Sequence, residues 1–309
     1  MGTPARPGYI KLNLSGELAN RAQQLRERYS NCNLCPHVCG VDRTKGEMGR
    51  CRSGAQAVVA STSAHFGEEP PISGTSGSGT IFFSGCTGRC LFCQNYPISQ
   101  LGVGETADDQ SLANMMLKLQ RRGCHNINFV TPTHYSPSIV AAINIAADNG
   151  LNIPIVYNTS GYERIEILEL LDGIVDIYLP DMKYADDAVA RELSGFENYS
   201  SCNRAAIKEM FRQVGDLKIR ESIAYRGLIV RHLVLPSNLS GTDIVMNFLR
   251  FEISQKVHIS LMSQYFPAHS ALHREDIGRS LTSDEYDRAL KYFFDVELDN
   301  GWFQEQNHV

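Results

Sequence analysis

From residue 80 onward, short apolar runs alternate with amphipathic stretches. TIFFS (80–84) opens the series. SLANMMLKLQRRG (111–123) has helical spacing and precedes the apolar run NINFV (126–130). SIVAAINIAADNG (138–150) precedes PIVYN (154–158), and RIEILELLDG (164–173) precedes IVDIYLP (174–180). Residues 187–215 read as helix interrupted at 195–203, and 217–226 as a further helix before the strand LIVRHLVLP (228–236). A helix at 241–254, a strand KVHISLMS (256–263) and a helix at 283–295 follow. Strands that are apolar throughout suit a sheet buried on both faces. Their alternation with helices argues for a parallel sheet with the helices outside. The expected fold class is α/β, a partial or full parallel (β/α) barrel of about six units.

The first 78 residues lack that rhythm. YIKLNL (9–14) reads as a short strand and GELANRAQQLRERY (16–29) as a helix capped by Ser15. Residues 32–78 hold four cysteines and many Gly and Pro, with a strand expected at AVVAST (57–62). PPISGTSGSGT (70–80) reads as a flexible, turn-rich connector. Its GTSGSGT part lacks the lysine of a phosphate loop and leads into a strand, not a helix. The expected division is an N-terminal extension, 1–78, and a barrel domain, 79–309.

Composition narrows the function. Hydrophobic residues make up 43% and charged residues 20% of 309, enough for a large core. The net charge of −5, with no basic cluster longer than Arg121–Arg122, argues against nucleic acid as the main partner. No apolar run is long enough to span a membrane and no signal-peptide core is visible, so a cytoplasmic location is expected. Seven of the nine cysteines fall between Cys32 and Cys93, a clustering that speaks for metal over disulfides.

The strands' C-terminal ends carry the polar chemistry. GCTGRCLFCQN (85–95) follows the first strand, TPTHYSP (131–137) the second and NTSG (158–161) the third. Asp181 and Lys183 follow the fourth, SNLSGT (237–242) the fifth, and Gln264 and Tyr265 the last. In a parallel barrel these ends share one face, where active sites form. Cys86, Cys90 and Cys93 form a C-x3-C-x2-C set. Three thiolates hold three irons of a [4Fe–4S] cube and leave the fourth free; zinc with three protein ligands also leaves a position open. The close spacing suits a cube, and Phe92 suits a loop lining an apolar cofactor pocket.

C-x3-C-x-aromatic-C after a first strand resembles the radical S-adenosylmethionine (SAM) superfamily, and GTIFFSGCTGRCLFCQN is similar to the branch around pyruvate formate-lyase activating enzymes. The resemblance covers roughly 80–270. It implies that Cys86, Cys90 and Cys93 hold a [4Fe–4S] cluster whose free iron is chelated by SAM. It also implies reductive cleavage to a 5′-deoxyadenosyl radical that abstracts hydrogen. The radical comes from the cofactor, so no side chain is assigned as the catalytic group. A small electron donor such as flavodoxin or ferredoxin, and a protein or peptide substrate such as a glycyl radical enzyme, are the implied partners. TPTHYSP stands where the family has a Gly-Gly-Glu stretch, so Thr131 and Thr133, with His134 undecided, are the candidates there. NTSG resembles the family's Asp-Thr-Asn-Gly, which puts Asn158, Thr159 and Ser160 at the cofactor's polar end. Asp181 and Lys183 match its Asp-x-Lys. Arg231 and His232, charged groups inside a buried strand, complete the cofactor candidates. Glu68 and Glu69 do not form a convincing acid/base pair, and His65 has no assigned role.

Cys32, Cys35, Cys39 and Cys51 form a second set, C-x2-C-x3-C-x11-C. Four cysteines this close, among Gly and Pro, point to a second metal site, zinc or iron–sulfur. Cys124 and Cys202 are expected to be ordinary thiols. The competing reading of the whole chain is a non-catalytic iron–sulfur or zinc protein for electron transfer or assembly.

Overall fold

The structure, a computed structural model, describes residues 6–304. Helices α1 (Gly8–Leu14) and α2 (Glu17–Glu27) lead through irregular chain to β1 (Ala57–His65) and a short α3 (Pro70–Ser73). Then come β2 (Ser78–Phe83), α4 (Tyr96–Ser99), β3 (Glu105–Ala107), α5 (Asp109–Arg121), β4 (Ile127–Val130) and α6 (Ser136–Asp148). The chain continues through β5 (Ile155–Thr159), α7 (Ile165–Leu171), β6 (Ile177–Pro180), α8 (Asp187–Ser194) and α9 (Tyr199–Val214). It closes with β7 (Lys218–Arg220), β8 (Ile223–Leu233), α10 (Thr242–Phe248), β9 (His258–Met262), α11 (Ser283–Asp295) and β10 (Asn300–Phe303).

The sheet has ten strands in the order β10-β9-β8-β6-β5-β4-β2-β1-β3, with β7 paired to β8. Every pairing from β10 across to β2 is parallel; β1 with β2, β1 with β3 and β7 with β8 are antiparallel. Among the described residues the two end strands, β10 and β3, do not pair with each other. The result is a mixed α/β fold with a mostly parallel central sheet, a partial barrel. The parallel strands are covered on both sides, and β5 and β6 are buried at every position. Helix α5 shows the local logic. Leu112, Ala113, Met116, Leu117 and Leu119 are buried, and the Asp108 side chain accepts from the Ser111 N–H at 2.8 Å. Such a cap contributes about 1 kcal/mol relative to alanine. Among the described residues no helix is long and apolar enough to cross a membrane.

Four local expectations fail, each for a visible reason. YIKLNL is helical, not extended. Its alternating Ile10, Leu12 and Leu14 have no sheet to face: the buried positions are the neighbours Tyr9 and Ile10, while Leu14 is 73% exposed. Ser15 does not cap α2; its hydroxyl turns back to Leu12 O, and Gly16, at φ 77°, stands at the N-cap. Residues 217–226 form the β7–β8 hairpin, not a helix. Its turn residues, Glu221 (φ 50°) and Ser222 (φ 67°), are both left-handed, as a type I′ turn demands, yet neither is the Asn or Gly that marks one. The expected flexible connector at 70–80 is also ordered. α3 and the start of β2 are packed around Asn126, which donates to Ile72 O at 2.8 Å and accepts from the Ser78 hydroxyl at 2.7 Å.

Register sets the site. Phe82 pairs with Val130, Val130 with Asn158, Thr159 with Pro180, and Arg231 with Ser260. The residues just after β2, β4, β5 and β6 and near the end of β8 therefore lie at one end of the sheet.

Candidate active site

A cavity of about 680 Å³ opens at that end, within the range of about 300–1,000 Å³ usual for small-ligand pockets. Cys86, Cys90 and Cys93 line it, with Thr131 after β4, Asn158 and Thr159 on β5, and Ser160 beside them. Asp181, Lys183, Arg231 and Gln264 line it too. Phe92, Thr133, His232 and Tyr265 do not reach it. Phe92 packs edge-on against Tyr265, ring centroids 5.6 Å apart, behind the cysteine loop.

The loop after β2 is held from several directions. The Arg89 and Leu91 amides donate to Ser194 O and Leu193 O, each at 2.8 Å, and Gln100 Nε2 donates to Cys90 O at 3.0 Å. Polar groups also face the sulfurs: the Gly88 N–H at 3.3 Å from Cys86, the Ser194 hydroxyl at 3.0 Å from Cys90, and the Ser99 hydroxyl at 3.1 Å from Cys93. Burial, with the neighbouring Cys90, pushes the Cys86 thiol up to about 12, and burial raises Cys90 against the pull of Lys183. As free thiols these groups keep their protons at neutral pH, so metal binding must displace them. Three thiols on one cavity, each with a polar neighbour suited to thiolate charge, fit a cluster held by three protein ligands.

Lys183 Nζ lies 2.5 Å from Asp181 Oδ2. Burial works against the ammonium, but Asp181 and Cys90 outweigh it and hold its pKa above the ordinary value. Gly161 lets the Asp181 backbone and the Asn203 side chain pack close against the β5 end. At φ 71° a Cβ there would lie 2.4 Å from Asp181 O and 2.1 Å from Asn203 Nδ2. Thr131 sits at φ 59°, a left-handed conformation that costs a β-branched residue about 1–3 kcal/mol and that clusters at functional sites.

The other candidates have structural partners. His134 is buried with Nε2 2.8 Å from Ser84 O, and burial holds its pKa down to about 3. His232 has both ring nitrogens engaged, Nδ1 with Met182 O at 2.6 Å and Nε2 with the Thr242 hydroxyl at 2.9 Å. The Thr133 hydroxyl donates to Glu163 at 2.5 Å, and Thr159 donates to the same oxygen. Burial pushes Glu163 up to about 7 despite those bonds.

Sequence reasoning set aside two groups that the fold brings in. Glu68 and Glu69, in the link between β1 and α3, line the cavity and pair with Arg231. Arg231 donates to both Glu69 oxygens, at 2.7 and 2.8 Å, and to Glu68. All three side chains are largely buried, Glu68 at 5% and Glu69 at 4% exposure. A charge inside β8 was the one available signal, since it demanded an opposite charge somewhere.

The protein-family comparison matches the Radical SAM superfamily over residues 80–223, the stretch holding the cysteine loop, β4, β5 and β6. The chain belongs to the radical SAM superfamily. It is also similar to the uncharacterized protein MJ0674 of Methanocaldococcus jannaschii, 31% identical over 300 residues, covering 94% of this chain and 81% of that protein. A radical SAM domain makes this chain an enzyme of that superfamily, and the superfamily implies a [4Fe–4S] cluster and SAM. Among the described residues, no three or more His, Cys, Asp or Glu side chains stand as a preformed site for a metal ion.

Proposed function

We propose that this radical SAM enzyme is activating-enzyme-like and abstracts hydrogen from a protein or peptide substrate. Cys86, Cys90 and Cys93 would hold the cluster. Asn158, Thr159, Ser160, Thr131 and the Asp181–Lys183 pair would hold the polar end of SAM. When bound, cluster and SAM together supply one-electron cleavage of the sulfonium to a carbon radical. The chain's own part is to bind, orient and exclude water. Lys183 brings a positive charge for a carboxylate, and Asp181 a negative one for an ammonium or sulfonium. The observation that carries the reading is the convergence of the three thiols and these strand-end groups on one cavity.

A peptide-sized substrate is supported by a second groove, of about 960 Å³, which shares Glu68, Pro70 and Trp302 with the cavity and runs under the β7–β8 hairpin. On this reading residues 79–309 form the catalytic unit and 1–78 the extension that braces it. A flavodoxin or ferredoxin in the same cytoplasmic compartment supplies the electron.

The test is anaerobic reconstitution with iron and sulfide, then reductant and SAM. Release of 5′-deoxyadenosine, faster when a glycyl-radical-type protein or peptide is added, is the expected result. Iron that binds while SAM neither binds by calorimetry nor breaks down would instead mark an electron-transfer or scaffold protein. Cleavage that no protein or peptide accelerates would leave the enzyme class standing and remove the activating role.

A further inference from the structure

The catalytic reading does not use Cys32, Cys35, Cys39 and Cys51. None forms a disulfide; Cys32, Cys35 and Cys51 are buried and Cys39 half-buried. Their segment is tightly folded. Cys32 N donates to Val41 O at 2.9 Å, Gly40 N to Cys32 O at 3.0 Å, and Val38 N to Cys35 O at 3.0 Å. Val38 is left-handed at φ 41°, a costly conformation for a β-branched residue.

A backbone N–H faces one of the sulfurs: Arg50 N lies 3.3 Å from Cys39 Sγ. A Cβ on Gly49 would lie 2.7 Å from Cys39 Sγ, so only glycine lets the backbone come this close. The bonds from Gly40 N to Cys32 O, Val38 N to Cys35 O and Arg50 N to Cys39 Sγ fold residues 32–51 back on themselves and draw the four cysteines together. An amide donor aimed at sulfur suits a metal-bound thiolate.

This segment also lies against the catalytic loop. His37, between Cys35 and Cys39, has Nε2 2.8 Å from Thr87 O. Arg89 donates to Arg50 O at 3.1 Å. A Cβ on Gly85, at φ 80°, would lie 2.8 Å from Cys51 O. Residues 85, 87 and 89, which interleave with the start of the C-x3-C run, thus each touch one of the four cysteines or a close sequence neighbour of one.

We propose that Cys32, Cys35, Cys39 and Cys51 hold a thiolate-bound metal centre, zinc or iron–sulfur, that sets the shape of the loop carrying Cys86, Cys90 and Cys93. The metal site stands on its own residues; only its effect on the loop rests on the radical SAM reading.

The test is zinc, iron and sulfide quantitation on the full-length chain carrying Cys86→Ala, Cys90→Ala and Cys93→Ala, after anaerobic reconstitution. The expected result is about one zinc per chain, or about four iron with matching sulfide, lost on adding Cys35→Ser. A folded triple-alanine protein holding less than about a tenth of a site overturns the metal centre. If Cys35→Ser fails to fold by circular dichroism, His37→Ala carries the test, since it leaves all seven thiols in place and breaks only the tie to Thr87. That variant should keep the N-terminal metal yet show an altered electron paramagnetic resonance signal for the reduced cluster and several-fold weaker SAM binding. An unchanged signal and affinity overturn the coupling. Failure of the radical SAM reading would look different: wild type and the triple-alanine variant would contain the same metal.

Discussion

Arg231 offers the sharpest physical test, because two nearly buried carboxylates depend on it. Replacing it with methionine keeps most of the side-chain volume and removes the charge. Glu68 and Glu69 are then left unpaired, and breaking a buried pair in this way costs about 3–5 kcal/mol. With a urea m-value of about 2 kcal/mol/M, a loss of 3 kcal/mol lowers the unfolding midpoint by about 1.5 M. Trp302, the single tryptophan, lines the same cavity and reports the transition by fluorescence under anaerobic conditions. The pH dependence gives a second signature. In the wild type, burial pushes Glu69 up, but Arg231 outweighs it and holds the carboxyl below its ordinary value. That stability is present above the ordinary carboxylate pKa and fades as pH falls through the depressed one. Without Arg231, burial, the largest influence, is opposed only by a backbone N–H and the Ser260 side chain and raises the carboxyl, so the deficit is largest near pH 8 and shrinks near pH 5. Adding Glu68→Gln and Glu69→Gln should recover most of the loss. A deficit under about 1 kcal/mol, equal at both pH values, would refute the reasoning and reduce the triad to an ordinary exposed pair.

Glu163→Gln removes a carboxyl that burial raises from 4.5 to about 7. A raised folded pKa gives stability that is full below about 4.5 and is lost as pH rises through about 7, by about 3 kcal/mol; the glutamine variant should be flat across that window in urea titrations. Thr131→Gly relieves left-handed strain against the extra chain entropy of glycine, so thermal unfolding should rise by a few degrees at most. Calorimetry on the reconstituted protein should nevertheless show weaker SAM binding, and unchanged affinity would remove Thr131 from the contact set.

Much of the sheet could be read from the chain because its strands are apolar on both faces and bounded by turn residues. β2, β4, β5, β6, β8 and β9 fall where the apolar runs lie. β10 was missed because NGWF is short and its pairing is with β9, some forty residues earlier in the chain. The β7–β8 hairpin was missed because Glu-Ser occupies a turn that usually shows Asn or Gly. The site divides in the same way. Residues at strand ends, from Cys86 to Lys183, could be placed by topology alone. Glu68 and Glu69 could not, because their role depends on a partner on β8 that no local pattern reveals. His232 shows the opposite limit: a charge-capable residue in a buried strand whose two nitrogens are simply satisfied by Met182 and Thr242.

The anchoring of the cysteine loop has a consequence for how the protein is made. Gln94 donates to Gln264 O, and the Ala271 amide donates to Leu91 O at 3.0 Å. Those two anchors leave the ribosome some 170 residues after the loop itself. A chain synthesised only as far as the loop therefore offers its thiols on an unfinished support, and the loop gains its full anchoring only after residues 264–271 have been made.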